Sequence, residues 1–355
     1  MALTVDLDRI VALRDFELIA RKRLEPEAYD YVAGGSWDEL TLAENLAAWQ
    51  RYRFRPRVLR DLRRLDASGT FLGRPSSLPV AVAPMAFQEL AHPDGETAMA
   101  AGAAAAGIPY CLSTSSSRTI EEVAEVAGAG DLWFQLYFVE TFEVTRDLVE
   151  RAASSGYRAL VVTVDLPNLG YRERTRRSGF EVPPLANVPG AVFQPNAATG
   201  LPADERPLGL TWADVDRIAG WSEMPLVLKG ILTAEDAQLA VEHGARAIVV
   251  SNHGARQLDR VPAPIDVLAE IVAAVDGRCE VWVDGGVRRG LDILIAFALG
   301  ATGVLVGRPL YWALAAAGQA GVERALAILR DELIVAMPIL GVASVGEVGR
   351  EHLQP

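Results

Sequence analysis

From residue 78 onward, short apolar runs rich in β-branched residues alternate with longer Ala-, Leu- and Glu-rich stretches whose apolar positions recur at helical spacing. The runs are Leu78–Ala83, Ile108–Ser113, Leu132–Tyr137, Ala159–Asp165, Leu226–Lys229, Ala247–Ser251, Glu280–Asp284 and Gly303–Gly307. Most lack polar alternation, as expected of strands covered on both faces in a parallel sheet. The stretches Thr119–Ala127, Val144–Ser154, Ala234–His243 and Gly290–Leu299 predict helices, and Gly107, Gly156, Gly244 and Gly300 stand where a glycine after a helix belongs. Eight strand–helix units closing on themselves predict an α/β fold, the (β/α)8 TIM barrel. An open doubly wound sheet would want Gly-x-Gly-x-x-Gly after an early strand, and the chain has none.

Two regions break the alternation. Residues 1–65 read as helices (Leu7–Arg23, Pro26–Val32 and Glu39–Trp49), forming an N-terminal segment packed on a barrel of residues 66–355. The interval between the fourth and fifth runs is long, and Phe180–Gly209 is aperiodic and rich in Pro, Gly, Asn and Ala. A long aperiodic loop leaving the C-terminal end of a barrel strand predicts a lid, here over residues 170–210.

In such a barrel chemistry sits where the strands end, so the residues after each run carry the functional signal. They are Pro84-Met85-Ala86, Ser113-Thr114-Ser115, Gln135-Leu136-Tyr137, Thr163-Val164-Asp165, Lys229-Gly230, Ser251 to Arg256, Asp284 to Arg288, and Gly307-Arg308. Almost every strand delivers a polar group to one rim. The Asp284-Gly285-Gly286-Val287-Arg288 and Gly307-Arg308 turns follow the last two strands, the usual barrel location for a phosphate held by backbone N–H groups. Of four histidines, His92, His243 and His352 have ordinary structural or surface readings. His253 ends the sixth strand three residues before Arg256, a spacing that lets a base and a guanidinium act on one small acid. Asp165 either orients that imidazole and raises its pKa or caps the turn that follows.

Composition narrows the partners. The chain of 355 residues carries 34 basic and 46 acidic residues, a formal charge of −12, which argues against nucleic acid. Cys111 and Cys279 lie in apolar runs and read as buried strand cysteines, and no Cys/His cluster suggests a metal. The acidic N-terminus is unlike a signal peptide, and the Ala98–Gly107 stretch is too short and glycine-broken to span a bilayer, so a cytoplasmic protein without a membrane partner is expected. Only Lys22 and Lys229 are lysines, which singles out Lys229 at a strand end.

Ser251-Asn-His-Gly-Ala-Arg-Gln-Leu-Asp259 resembles the signature of the FMN-dependent 2-hydroxy acid oxidases and dehydrogenases. Val82-Ala-Pro-Met-Ala86, Phe134-Gln-Leu-Tyr137, Thr163-Val-Asp165, Leu228-Lys-Gly230, Asp284-Gly-Gly-Val-Arg-Arg289 and Gly307-Arg-Pro309 join it. Tyr29-Asp-Tyr31, Gly34-Gly35 and Thr41-Leu-Ala-Glu-Asn45 resemble the family's N-terminal segment, so the likeness spans essentially the whole chain. The resemblance implies FMN as cofactor, His253 as active-site base and Asp165 as its partner. It implies that Arg256, Tyr31 and Arg172 hold the substrate carboxylate and that Tyr137 bonds its hydroxyl. Pro84, Met85, Ala86, Ser113, Gln135, Thr163, Lys229 and Ser251 would hold the isoalloxazine and ribityl groups. Asp284, Gly285, Gly286, Val287, Arg288, Gly307 and Arg308 would take the ribityl and phosphate end. Physical logic agrees: oxidising an α-hydroxyl removes two electrons that no side chain can accept, so a redox cofactor is required. A lysine near the flavin would favour its reduced anion better than an arginine, as a compact point charge.

The same resemblance bears on substrate. Members acting on glycolate carry a Trp where this chain has Ser115, and a small residue there widens the pocket. Met85 and Phe87 add apolar surface, and the resemblance of Val306–Gln319 and Ala33–Ser36 to members acting on hydroxymandelate implies an aromatic (S)-2-hydroxy acid such as 4-hydroxymandelate, with O2 reduced to hydrogen peroxide. A lactate- or glycolate-type oxidase, or a dehydrogenase passing electrons to a quinone or protein, is the alternative. By family analogy the chain forms a homo-oligomer, a tetramer or octamer.

Overall fold

In the computed structural model, which describes residues 5–139, 141–188, 190 and 209–354, the strands are β1 (Gly69–Phe71), β2 (Arg74–Ser76), β3 (Val80–Val82), β4 (Tyr110–Ser113), β5 (Leu132–Leu136), β6 (Ala159–Thr163), β7 (Leu226–Ile231), β8 (Ala247–Val250), β9 (Glu280–Val283) and β10 (Gly303–Val306). Strands β3 to β10 are parallel and close in sequence order into a barrel, with β10 pairing back onto β3. Each of the eight apolar runs is a barrel strand. The helices Ile120–Ala127, Phe142–Ser154, Trp212–Ala219 and Ala234–Glu242 each start behind a threonine whose hydroxyl accepts a backbone N–H of the first turn.

Two-residue periodicity decides what faces inward. The interior is built from Ala81, Ala83, Cys111, Trp133, Ala159, Val161, Val227, Ala247, Val249, Trp282 and Leu305. Continuing the same parity toward the strand ends brings Ser113, Gln135, Thr163, Lys229, Ser251 and Asp284 to the top of that column. The polar rim is therefore the last layer of the barrel core. Below it, Trp133 and Trp282 stack at 4.9 Å, and Phe71 packs edge-on against both, at 5.4 and 5.2 Å. Phe71 comes from the β1–β2 hairpin, which closes the bottom of the barrel and which the hydrophobic pattern does not announce.

The N-terminal helices Leu13–Arg23, Pro26–Ala33 and Leu40–Ala47 share one apolar core with the outer layer of the barrel, through residues such as Leu13, Phe16 and Val32. The first is shorter than its pattern suggests: Leu7–Arg9 is a separate 3-10 turn, and the Asp15 carboxylate accepts the Val11 and Ala12 N–H groups at the break. The last helix, Arg308–Leu340, is broken at Ala317–Gly318. Cys111 points into the barrel as expected, whereas Cys279 is half-buried and precedes β9, because the strand begins only at Glu280.

The part of residues 170–210 that can be described packs against the rim of the barrel. It forms a short helix, Glu173–Ser178, and Asn187 then ties it to the barrel by accepting the Ile120 N–H at 2.9 Å and donating to Ser116 Oγ at 2.9 Å. The expected lid over residues 191–208 lies outside the described residues. No helix among the described residues is long and apolar enough to cross a membrane.

Phe71→Ala should cost about 3–5 kcal/mol, the usual loss for a large buried aromatic. The denaturant midpoint of the folded protein checks this; an unchanged midpoint would show that the barrel floor does not depend on the hairpin.

Candidate active site

A cavity of about 300 Å³ opens at the C-terminal rim. It is lined by Tyr31, Pro84, Met85, Ala86, Ser113, Tyr137, Thr163, Arg172, Lys229, His253, Arg256, Asp284, Gly285, Gly286, Val287, Arg288, Gly307 and Arg308, all singled out from the sequence. Three others stand one layer behind. Gln135 accepts from Ser113 Oγ at 3.1 Å and donates to Thr163 Oγ1 at 3.0 Å. Ser251 Oγ accepts from Lys229 Nζ at 2.9 Å and from the His253 N–H at 3.0 Å. Asp165 lies behind His253.

The imidazole of His253 is held from both sides. Its Nδ1 lies 2.8 Å from Asp165 Oδ1 and its Nε2 lies 3.2 Å from the Tyr137 hydroxyl. Gly230 makes the first of these contacts possible. It sits at a register shift between β7 and β8 with φ +116°, and a Cβ there would come within 2.6 Å of the Asp165 side chain. Burial pushes the His253 pKa down, Asp165 pushes it up, and Lys229 and Arg172 push it down again; the net direction is downward. The expectation that Asp165 raises this pKa is thus corrected: the contribution has that sign, but desolvation outweighs it. Asp165 itself, raised by burial, is lowered more by its charge and hydrogen-bond interactions with His253 and ends below the ordinary carboxylate value. The resulting pair is a neutral imidazole and an ionised carboxylate.

Lys229 bridges Ser251 and Asp284, with Nζ 3.1 Å from Asp284 Oδ2. Burial opposes its charge, yet Asp284 and Asp165 together raise its pKa, so it stays an ammonium. Its charge is therefore shared with Asp284 rather than standing alone.

Five arginines line the same cavity: Arg172, Arg176, Arg256, Arg288 and Arg308. Arg256 Nη1 donates to the Tyr31 and Gly34 carbonyls at 2.6 and 3.2 Å, and its guanidinium lies 5.0 Å from the centre of the Tyr31 ring. Arg308 donates to the Val32 and Gly34 carbonyls at 2.8 and 2.9 Å. Both thus grip the C-terminal end of the Pro26–Ala33 helix, whose carbonyl dipoles favour cations. Arg172 donates to the Arg256 carbonyl at 3.1 Å. Burial, and then the neighbouring guanidiniums, bring Arg172 and Arg308 down to about 9; burial lowers Arg288 as well. Carbonyl dipoles do not offset this crowding of like charges, and an anionic ligand would.

The turn after β9 is shaped by glycine. A Cβ on Gly286, at φ +86°, would lie 1.7 Å from the Asn45 carbonyl oxygen. Asn45 and Asn252 exchange two amide hydrogen bonds, at 2.9 and 2.7 Å, and Trp49 Nε1 donates to the Gly285 carbonyl at 3.0 Å. These three residues join the N-terminal helices to the loops bearing His253 and Asp284, a role that spacing along the chain does not reveal. Also unforeseen are Leu166, Leu169, Val182, Arg176 and Tyr311 on the cavity wall. The first four belong to the long interval between the fourth and fifth runs, whose pattern carries no facing information.

Residues 20–355 match the FMN-dependent dehydrogenase family. The chain belongs to that family. L-lactate oxidase of Nostoc sp. is 47% identical over 97% of this chain and 98% of its own length. Glycolate oxidase 1 of Zea mays is 46% identical over 98% and 96%. A solved structure of mandelate oxidase with 3,3-difluoro-2-hydroxy-3-phenylpropionic acid is 47% identical, covers 97% of this chain and 98% of its own, and superposes with a TM-score of 0.88. The chain is thus a flavoprotein oxidoreductase of the 2-hydroxy acid oxidase family, and its cofactor is FMN. The cavity fits that group on its own chemistry. Asp284 Oδ1 is buried without a partner among the described residues and is free to accept from a ribityl hydroxyl, while Arg288 and Arg308 offer a phosphate positive charge that burial disfavours.

Gly286→Ala should purify with markedly less bound FMN, because the new methyl must displace either the turn or Asn45. The flavin-to-protein absorbance ratio measures this, and a ratio equal to wild type would contradict the close approach.

Proposed function

We propose that this enzyme oxidises aromatic (S)-2-hydroxy acids, such as mandelate or 4-hydroxymandelate, to the 2-oxo acids and reduces O2 to hydrogen peroxide. One observation carries the reading: a neutral, buried imidazole, oriented by a carboxylate, faces a cavity that also holds uncompensated guanidiniums. Arg256 and Arg172 would hold the substrate carboxylate, with Tyr31 beside it, in the planar geometry that suits a guanidinium fork. The Tyr137 hydroxyl would bond the substrate hydroxyl. His253 Nε2 accepts the proton leaving the substrate, and Asp165 holds the Nδ1–H and stabilises the imidazolium that results. FMN, when bound, would supply the acceptor for the electron pair together with the second substrate hydrogen, with O2 as the final oxidant.

Pro84, Met85, Ala86, Ser113, Thr163 and Lys229 would hold the isoalloxazine and ribityl groups, with Gln135 and Ser251 setting the orientation of Ser113, Thr163 and Lys229. Asp284 to Arg288, Gly307 and Arg308 would hold the ribityl and phosphate end. The aromatic preference is supported by the apolar part of the cavity lining. Met85, Phe87, Leu166, Leu169 and Val182 form it, and Tyr31 stacks on Phe180 at 4.5 Å. Ser115 leaves space there that a larger residue would fill. The likeness to mandelate oxidase supports the same reading, while the lactate and glycolate oxidase relatives favour a small aliphatic substrate.

Turnover under air of (S)-mandelate, (S)-lactate and glycolate decides between them. Mandelate should show the highest kcat/KM; a clear preference for glycolate or lactate would overturn the aromatic assignment. Slow reoxidation of the reduced enzyme by O2 would instead assign a dehydrogenase.

The base also fixes a pH dependence. An imidazole must be neutral to accept a proton, so activity falls as pH drops through its folded-state pKa, which burial holds below the ordinary 6.5. The acid limb of kcat/KM should therefore lie below pH 6.5, and His253→Ala should retain FMN while losing roughly 10²–10⁴-fold in kcat. A limb above that pH, or a variant retaining turnover, would remove His253 from the role.

A further inference from the structure

One buried carboxyl takes no part in the proposed chemistry. Glu96, near the start of the Gly95–Ala105 helix, is wholly buried and stands outside the cavity lining. Its Oε1 accepts two backbone N–H groups, from Gln88 at 3.0 Å and from Ser117 at 2.9 Å. The two donors belong to different loops, one following β3 and the other β4. The first loop carries Met85 and Phe87 and the second carries Ser115, all three on the cavity wall. Gly95 lets the helix come this close: it has φ +43°, and a Cβ there would meet the Glu89 backbone nitrogen at 3.0 Å. Glu96 Oε2 is buried without a partner among the described residues, and burial raises the carboxyl's pKa, which favours its neutral form. What the two loops share is therefore one accepting oxygen rather than a charge.

The wall that Glu96 supports is strained. Phe87 has φ +51° and ψ +56°, a left-handed backbone that a bulky residue adopts only where its surroundings impose it. Here they do. The Phe87 N–H donates to the Ser115 carbonyl at 2.9 Å, and the Phe87 carbonyl accepts from the Tyr311 hydroxyl at 2.8 Å. Gln88, the next residue, gives its N–H to Glu96 and its side-chain amide to the Met85 carbonyl at 3.2 Å and the Tyr110 hydroxyl at 3.0 Å. The loops are thus tied twice, directly at Phe87–Ser115 and through Glu96 just beyond. We propose that Glu96 is a positioning residue for substrate selection: its carboxyl oxygen sets the spacing of Phe87 and Ser115, and with it the fit of a bulky 2-hydroxy acid side chain. Resting on the oxidation of 2-hydroxy acids proposed above, this role concerns only the choice among them. A phenyl ring makes more contacts with such a wall than a methyl group does, so loosening the wall penalises the larger substrate more.

The kcat/KM values for (S)-mandelate and (S)-lactate, measured on the FMN-loaded Glu96→Gln and Glu96→Ala variants, test this. Glu96→Gln keeps an accepting oxygen, and its mandelate-to-lactate ratio should match wild type. Glu96→Ala leaves both N–H groups without an acceptor, and its ratio should fall roughly tenfold, the scale on which apolar contacts discriminate between substrates. Should that variant fail to fold, Glu96→Asp, one methylene too short to reach both donors, should show the same fall. A ratio unchanged in whichever of the two folds, with both substrates slowed alike or not at all, would leave Glu96 a purely structural residue and overturn the proposal. A fall in Glu96→Gln as large as in Glu96→Ala would assign the effect to charge and overturn it as well. A wild type that prefers lactate contradicts the aromatic reading alone, because the change in ratio between variants still reports on Glu96.

Discussion

Positive charge buried without a matching anion is the constraint around which this molecule is arranged. Arg172, Arg256, Arg288 and Arg308 all line one cavity, and burial together with mutual repulsion draws two of them down to about 9. A barrel whose inward column ends in polar residues can tolerate this only with help. Part comes from the carbonyls of Tyr31, Val32 and Gly34, which the N-terminal helices bring to the rim. On the proposed reading the remainder would fall to ligands, a phosphate at one end and a carboxylate at the other. Binding energy is thus stored in the protein before either arrives, as preorganised donors facing a common space.

The imidazole proposed as base depends on the same field. His253 sits among Lys229 and Arg172, and their charges add to burial in keeping it neutral. Asp165 works against them, yet it is needed to fix which nitrogen carries the proton. These opposed influences leave an imidazole that can accept a proton near neutral pH. Gly230 is part of this arrangement, since no side chain there would let Asp165 approach.

Much of this was legible in the residues. Most of the eight apolar runs lacked polar alternation because both faces of each strand are covered, and two-residue parity carried inward-facing positions from Cys111 to Ser113 and from Val227 to Lys229. What escaped has physical reasons. The Gly69–Phe71 and Arg74–Ser76 strands are three residues long, too short for any period, so the Phe71 plug was invisible. The net pKa direction of His253 depends on burial, which spacing does not encode. The Asn45–Asn252 amide pair joins residues 207 positions apart. In the aperiodic stretch after β6, Asn187 ordered a segment that composition alone marked as loop. Cys279 was placed in a strand because the apolar run around it did not show where pairing begins.

The central claim is that buried guanidiniums make the cavity a receptor for anions, and the phosphate end tests it without recourse to turnover. Stripped of flavin and titrated with FMN and with riboflavin, which lacks only the phosphate, the protein should bind FMN roughly a hundredfold or more tightly, the worth of two or more charge-assisted contacts. Equal affinity for the two would contradict the account.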